Sequence, residues 1–261
     1  MYTIQNYLCA SSLEEAYALL KKSRRNKILA GGLWLRMTRI SIGTAIDLSG
    51  LDLARIEDQP EEVVIGAMVS LRQLETDPCL QTLFGGVLPV SVSSIVGVQF
   101  RNSATIGASV YSRYGFSDPI TALLALDAQV ELFDAGIMPL AAFLQAKLPR
   151  DILVRIRIPK DGRRAAYETC RASATDFGQL NVCMSVTPEN RWAVSIGARP
   201  AAAVRVPAAE ACLAQGDLAG AEAAVQEIAY GSNMRAGAAY RKAIAAVLVR
   251  RAFHRLQEGQ A

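Results

Sequence analysis

Few residues in this chain have types and spacing suited to chemistry, and they are not acids or bases. The most pointed stretch is Ile28-Leu29-Ala30-Gly31-Gly32-Leu33-Trp34-Leu35, in which two apolar residues lead like a short strand into adjacent glycines. Glycine lacks a Cβ, so it can take φ > 0 and let another group lie against the backbone. Successive N–H groups in such a turn can face one side and form a nest that favours an anion such as a pyrophosphate. A Gly-Gly pair after a strand is also a common plain turn. The ligand reading gains from a second segment, Gln99-Phe100-Arg101-Asn102-Ser103-Ala104-Thr105-Ile106-Gly107-Ala108-Ser109-Val110. It is rich in small and hydroxyl residues, which compete for backbone hydrogen bonds, so it is expected as a ligand loop rather than a helix.

Other chemistries are poorly supplied. The one histidine, His254, has no partner with which to build a histidine metal site or a Ser-His-Asp triad. The five cysteines, at 9, 79, 170, 183 and 212, fit no zinc or iron–sulfur spacing. Odd in number and scattered, they read as free thiols of a cytoplasmic protein. The net charge of +4 is spread out. Its short clusters, Arg24-Arg25 with Lys27 and Arg163-Arg164, lack the aromatic interleaving of a nucleic-acid binder. No apolar run approaches a membrane span, and the N-terminus leads into an acidic amphipathic helix rather than a signal peptide.

The elements that must position the two segments follow from periodicity. Ser12 as N-cap and Glu15 three residues later predict a capping box opening a helix over 12–22. A strand and turn at 28–35 and a strand at 45–48 complete a small β-α-β unit. A strand at 63–67, a helix from Ser70 to Glu75, a restart at Pro78 and a helical 87–98 follow. Asp118 as N-cap with Pro119 at the first helical position predicts a helix over 120–126. Strands are expected at 129–133 and at 152–159, the latter stopped by Pro159. Beyond about 163 the pattern changes to three antiparallel strands (166–171, 182–187, 192–198). Alanine-rich helices follow, broken at Gly216 and Gly231, the last running over 236–257. The expected seam is near 160.

Taken together, the two glycine segments resemble those of the FAD-binding subunit of molybdenum hydroxylases, the xanthine dehydrogenase and carbon monoxide dehydrogenase family. Ala30-Gly31-Gly32 with its apolar continuation looks like the family's first flavin loop. Arg101-Asn102 with Ala104-Thr105-Ile106-Gly107 looks like its second, and Asp118-Pro119 follows at the family's spacing. Ile152-Leu153 and Ile158-Pro159 resemble its domain-end strand. Ile196-Gly197-Ala198-Arg199-Pro200, Tyr240-Arg241 and Arg250-Arg251-Ala252 resemble its C-terminal domain.

The resemblance implies an α+β chain with a p-cresol methylhydroxylase-type FAD-binding fold. Its two α/β subdomains, about 1–52 and 53–160, would be followed by a C-terminal antiparallel sheet with helices over 161–261. The cofactor is then FAD. Its pyrophosphate would be held by backbone N–H groups of Leu29, Ala30, Gly31, Gly32, Leu33, Trp34 and Leu35 and of the Thr105–Ser109 stretch, with Ala104, Thr105, Gly107 and Ser109 at the second loop. Ser112 and Asp118 would contact the cofactor through hydroxyl and carboxylate, and Leu153 through apolar packing. Three places depart from the family pattern: Leu33-Trp34 after the first glycines, Ala108-Ser109 after Gly107, and Glu168 where many members carry lysine. Trp34 is expected to plug the first loop, and Arg101 to bond to loop backbone.

No general acid or base is expected, because the flavin carries the chemistry. The family role is electron exit. A molybdenum-cofactor subunit and a [2Fe-2S] subunit supply electrons, and FAD hands them on, typically to NAD+, within a hetero-oligomer. Two alternatives stay open. One is a degenerate scaffold subunit without flavin; the other is a stand-alone flavin oxidoreductase of the same fold, such as an enolpyruvyl-sugar nucleotide reductase.

Overall fold

The computed structural model describes residues 2–147 and 149–258. The first unit contains β1 (Thr3–Cys9), α1 (Leu13–Lys22), β2 (Lys27–Leu29) and β3 (Ser41–Asp47). Its strands form a parallel sheet in the order β1-β3-β2. Apolar residues at helical spacing put Ala16 and Leu20 of α1 in one core with Ile46 and Leu48. Only half of the expected capping box forms. Ser12 Oγ accepts from Glu15 N at 3.2 Å. The Glu15 carboxylate instead takes the backbone N–H and hydroxyl of Ser11, at 2.8 and 2.7 Å.

The second unit runs through β4 (Ile56–Asp58), β5 (Glu62–Gly66), α2 (Leu71–Thr76), α3 (Pro78–Thr82), α4 (Val87–Ser93), α5 (Val98–Ser103), α6 (Ile106–Tyr111) and α7 (Asp118–Ala125). It continues through β6 (Gln129–Leu132), β7 (Gly136–Pro139), α8 (Leu140–Gln145) and β8 (Leu153–Pro159). The sheet is antiparallel, in the order β4-β5-β8-β6-β7. The segment entering β8 joins two cores, because alternate residues face opposite ways and an irregularity in the pairing at Leu153–Arg155 then reverses the alternation. Ile152 and Val154 pack with the first unit, whereas Leu153, Ile156 and Ile158 pack with the second.

Two expectations about local structure are corrected here. The helix expected over 87–98 ends at Ser93, where Ser91 and Ser93 turn their hydroxyls back onto the carbonyls of Leu88 and Val90. The segment expected as a loop over 99–110 is instead mostly helical: α5 and α6 flank the Ala104-Thr105 junction. A hydroxyl does favour the helix here, because Thr105 Oγ1 caps α6 by accepting from Ala108 N.

The third unit contains β9 (Arg164–Cys170), β10 (Leu180–Val186), β11 (Trp192–Gly197), β12 (Val204–Arg205), α9 (Pro207–Ala214), α10 (Leu218–Gln226) and α11 (Ala238–Glu258). Its antiparallel sheet has the order β12-β11-β10-β9. Val182, Met184, Val194 and Ile196 meet Ala245, Leu248, Val249 and Ala252 of α11 on one face. Tyr167 and Cys183, on the opposite face, join the core of the second unit. α7 lies at that junction, and all eight of its residues are buried. That burial suits its near-uniform apolarity, since a helix apolar all round has no face to give to water. Among the described residues no helix is long and apolar enough to cross a membrane.

Candidate cofactor-binding site

The two glycine segments touch. Gly31 lies directly on the backbone of Ser103: a Cβ at Gly31 would stand 1.7 Å from the Ser103 carbonyl oxygen and 2.5 Å from its carbon. Only glycine permits that approach. The contact seats the turn after β2 on the junction between α5 and α6. Gly32 follows with φ +68°, the left-handed conformation that glycine takes without strain. The turn then closes through Arg36 N donating to Gly32 O at 3.2 Å, and a short 3₁₀ turn spans Leu35–Met37. The N–H groups of Ala30, Gly31, Gly32, Leu33 and Trp34 donate to no group among the described residues. Gly31 and Trp34 are exposed, and the other three are half-buried. A run of free amides in a glycine turn is a cradle for an anion.

The second segment matches the expectation of free amides only at Thr105, whose N–H donates to no group among the described residues; from Ile106 to Ser109 the amides are taken. Ile106 N donates to Val69 O and Gly107 N to Ala67 O, each at 2.9 Å. Ala108 N is taken by Thr105 Oγ1 and Ser109 N by Thr105 O. The cause is the packing of α6 against the end of β5. A Cβ on Gly107 would lie 2.5 Å from Ala67 O, so this glycine is required by that contact. Ser109 Oγ donates to Thr105 O, and Ser112 is exposed at the end of α6. The segment thus serves as the wall on which the first turn rests, with Ala104 half-buried and Thr105 buried.

Asp118 does not cap α7; Ser117 holds the N-cap position, without a side-chain cap bond. The Asp118 carboxylate faces the third unit instead. It accepts from Tyr167 Oη at 3.0 Å, Asn181 Nδ2 at 2.8 Å and Arg171 Nη2 at 2.5 Å. Burial pushes the Asp118 carboxyl up from its ordinary range, and the Arg171 charge with the two neutral donors pulls the other way. Asp118 Oδ1 takes all three donors. Leu153 is likewise interior, opposite Leu132 in the second core. Arg101 bonds to backbone as expected, donating to Ile95 O, and its guanidinium also pairs with Glu75. Glu168 is paired with Arg255, at 2.8 Å.

Phe116 and Phe177, which the sequence did not single out for the site, complete its rim. Trp34 stands against Tyr114, Phe116 and Phe177, with ring centroids 5.6, 5.3 and 6.2 Å away. Tyr114 and Phe116 stack at 4.9 Å, and Phe116 and Phe177 meet at 4.9 Å in a T-shaped pair. The Arg235 guanidinium covers Phe177 at 4.6 Å. These rings come from the first turn, the α6–α7 connection and the β9–β10 connection. All three units therefore meet beside the free amides.

The family model for the FAD binding domain in molybdopterin dehydrogenase matches residues 2–161. The chain belongs to this FAD-binding family. It is 25% identical over 273 residues to the nicotine 6-hydroxylase medium subunit of Paenarthrobacter nicotinovorans, covering 94% of each chain. A chain of reconstituted CO dehydrogenase from Oligotropha carboxidovorans superposes with a TM-score of 0.87 at 25% identity, covering 97% of each. A chain of quinoline 2-oxidoreductase from Pseudomonas putida 86 shares the fold, with a TM-score of 0.87 at 19% identity over 97% of each. The α+β architecture expected from the resemblance is the one found, and the family's cofactor is FAD. The five free amides and the missing Cβ at Gly31 fit the diphosphate of that cofactor.

Proposed function

We propose that this FAD-family chain is the electron-exit subunit of a molybdenum hydroxylase, with the diphosphate of FAD on the amides of Ala30 to Trp34. The observation that carries this reading is the Gly31–Ser103 contact, which backs five unsatisfied N–H groups with a rigid wall. Those amides bind and orient, and Gly32 takes the left-handed φ of +68° that the turn needs. When bound, FAD joins one-electron donors to two-electron acceptors. The chain's own residues supply position and a low-dielectric wall. They move no proton, since Asp118 is held in its network and His254 lies on α11.

The partners on this reading are a molybdenum-cofactor subunit and a [2Fe-2S] subunit, with NAD+ or another acceptor taking the electrons. Support comes from relatives named as medium subunits and as xanthine dehydrogenase FAD-binding subunits. Among the described residues no three His, Cys, Asp or Glu side chains group as a metal site. We take residues 1–160 as the FAD-binding domain, split near 52, and 161–261 as the C-terminal domain; β8 ends at Pro159 and β9 opens the third sheet at Arg164.

The test is FAD titration of the purified protein followed by gel filtration, read by visible absorption, with tagged protein pulled from its host and assayed for molybdenum. Flavin absorbance that travels with the protein, and molybdenum in the captured complex, support the reading. A colourless protein that remains so after FAD is added refutes it.

A further inference from the structure

We propose that the Trp34 indole is a plug in the ring end of the FAD site, and that the isoalloxazine enters only when this side chain swings out. The inference rests on the reading above that FAD lies on the first turn. A diphosphate on the amides of Ala30 to Trp34 leaves its attached rings at the two ends of that turn. At the Gly31 end the Ser103 backbone closes the way, and Ala104 behind it packs on the second core. At the Trp34 end stands a cluster of aromatic side chains: Trp34, Tyr114, Phe116 and Phe177. A flat apolar cofactor ring placed there meets rings of the chain already in contact with one another. This is also the open end: Trp34 and Tyr114 are each 41% exposed, so a redox ring held there keeps an edge within reach of a partner.

The indole can leave at small cost. Its N–H donates to no group among the described residues, and its contacts are ring to ring, without a hydrogen bond to break. The backbone that carries its neighbours is fixed. The Tyr114–Phe116 connection is pinned by Gly115, where a Cβ would lie 2.6 Å from Ala201 O, and by Ala198 N donating to Gly115 O. Phe177 is held under the Arg235 guanidinium. With Trp34 out, Tyr114, Phe116 and Phe177 remain as an aromatic slot. With Trp34 in, that slot is filled and the amides stay open to the diphosphate alone.

The experiment compares two ligands on the full chain by calorimetry. FAD carries the isoalloxazine; ADP-ribose carries the same adenosine diphosphate without it. The wild-type chain is expected to bind both with similar affinity, because the ring gains nothing. Trp34→Ser should tighten FAD about tenfold, the scale of a lost set of aromatic contacts, and leave ADP-ribose unchanged. Trp34→Leu, which shortens the same side chain, should shift FAD in the same direction and serves if the first variant is unstable. Weaker FAD binding by Trp34→Ser with ADP-ribose spared makes the indole a stacking platform and overturns the plug. An equal gain for both ligands overturns it too, by placing adenine at this end. Binding of neither ligand to any variant removes the FAD reading, and the plug with it.

Discussion

Gly31→Ala is the sharpest perturbation of the site. Its added methyl would stand 1.7 Å from the Ser103 carbonyl oxygen, which belongs to backbone and cannot rotate away. Restoring van der Waals separation of about 3.5 Å requires the first turn and the α5–α6 junction to part by roughly 1.8 Å. Overpacking of a tight contact costs about 1–3 kcal/mol, so the fold should survive with a lowered melting temperature. The functional loss should be larger than the stability loss, because a cradle of amides works by holding donors within hydrogen-bond range of one anion. A displacement of that size takes them out of range. Gly32→Ala is the control. It strains a φ of +68°, but its Cβ would come no closer than 3.5 Å, to the Leu29 side chain. It should therefore lose about 1–2 kcal/mol of stability and keep more of its FAD affinity. The assay is FAD titration by flavin fluorescence beside a thermal melt of each variant. Gly31→Ala binding FAD like the wild type, with an unchanged melting temperature, would refute the claim that this contact forms the site.

Two further outcomes follow from the buried charges. Arg171→Met leaves the Asp118 carboxylate buried without its cation and should cost about 3–5 kcal/mol in denaturant melts. With the guanidinium gone, burial holds the folded pKa of Asp118 above the unfolded value. Stability contributed by the neutral acid is then present at low pH and lost as pH rises through the folded pKa. The variant's deficit should therefore be smaller at about pH 5 than at about pH 8, and an equal deficit at both would contradict this. Arg241 is fully buried and donates to the carbonyls of Gln179, Gly231 and Ala236 and to Asn233 Oδ1. Arg241→Ala should cost at least about 2 kcal/mol in the same melts, and Arg241→Lys should recover only part, since one ammonium cannot reach acceptors spread around a planar fork.

Local chemistry was legible in the sequence wherever a short stretch decides it. The turn after Leu29, the Ser70 cap of α2 and the β8 strand ending at Pro159 all depend on near neighbours. What depended on distant ones was not. Asp118 and Pro119 read as a helix start, yet the partners of that carboxylate lie 49, 53 and 63 residues away. Nothing in residue type separates the free amides of the first turn from the occupied amides of the Ile106–Ser109 stretch. They differ because Val69 and Ala67 sit under α6 and take the Ile106 and Gly107 amides, and because Thr105 starts a helix and takes those of Ala108 and Ser109. Trp34 stood out as a departure from the family pattern, but its three aromatic neighbours come from two other connections, and no spacing rule joins them. Hydroxyl-rich Gln99–Val110 misled for a related reason: Thr105 uses its hydroxyl to start a helix, which the same composition in a loop would not do.

Everything else depends on the diphosphate lying on the first turn, with the Ile106–Ser109 stretch only backing it. Backbone amide chemical shifts of the isotope-labelled chain, recorded with and without ADP-ribose, test it most directly. The N–H signals of Ala30 to Trp34 should move strongly, and those of Ile106 to Ser109, already bonded within the fold, should move little. Large shifts confined to Ile106–Ser109, or none in the first turn at saturating ligand, would contradict it.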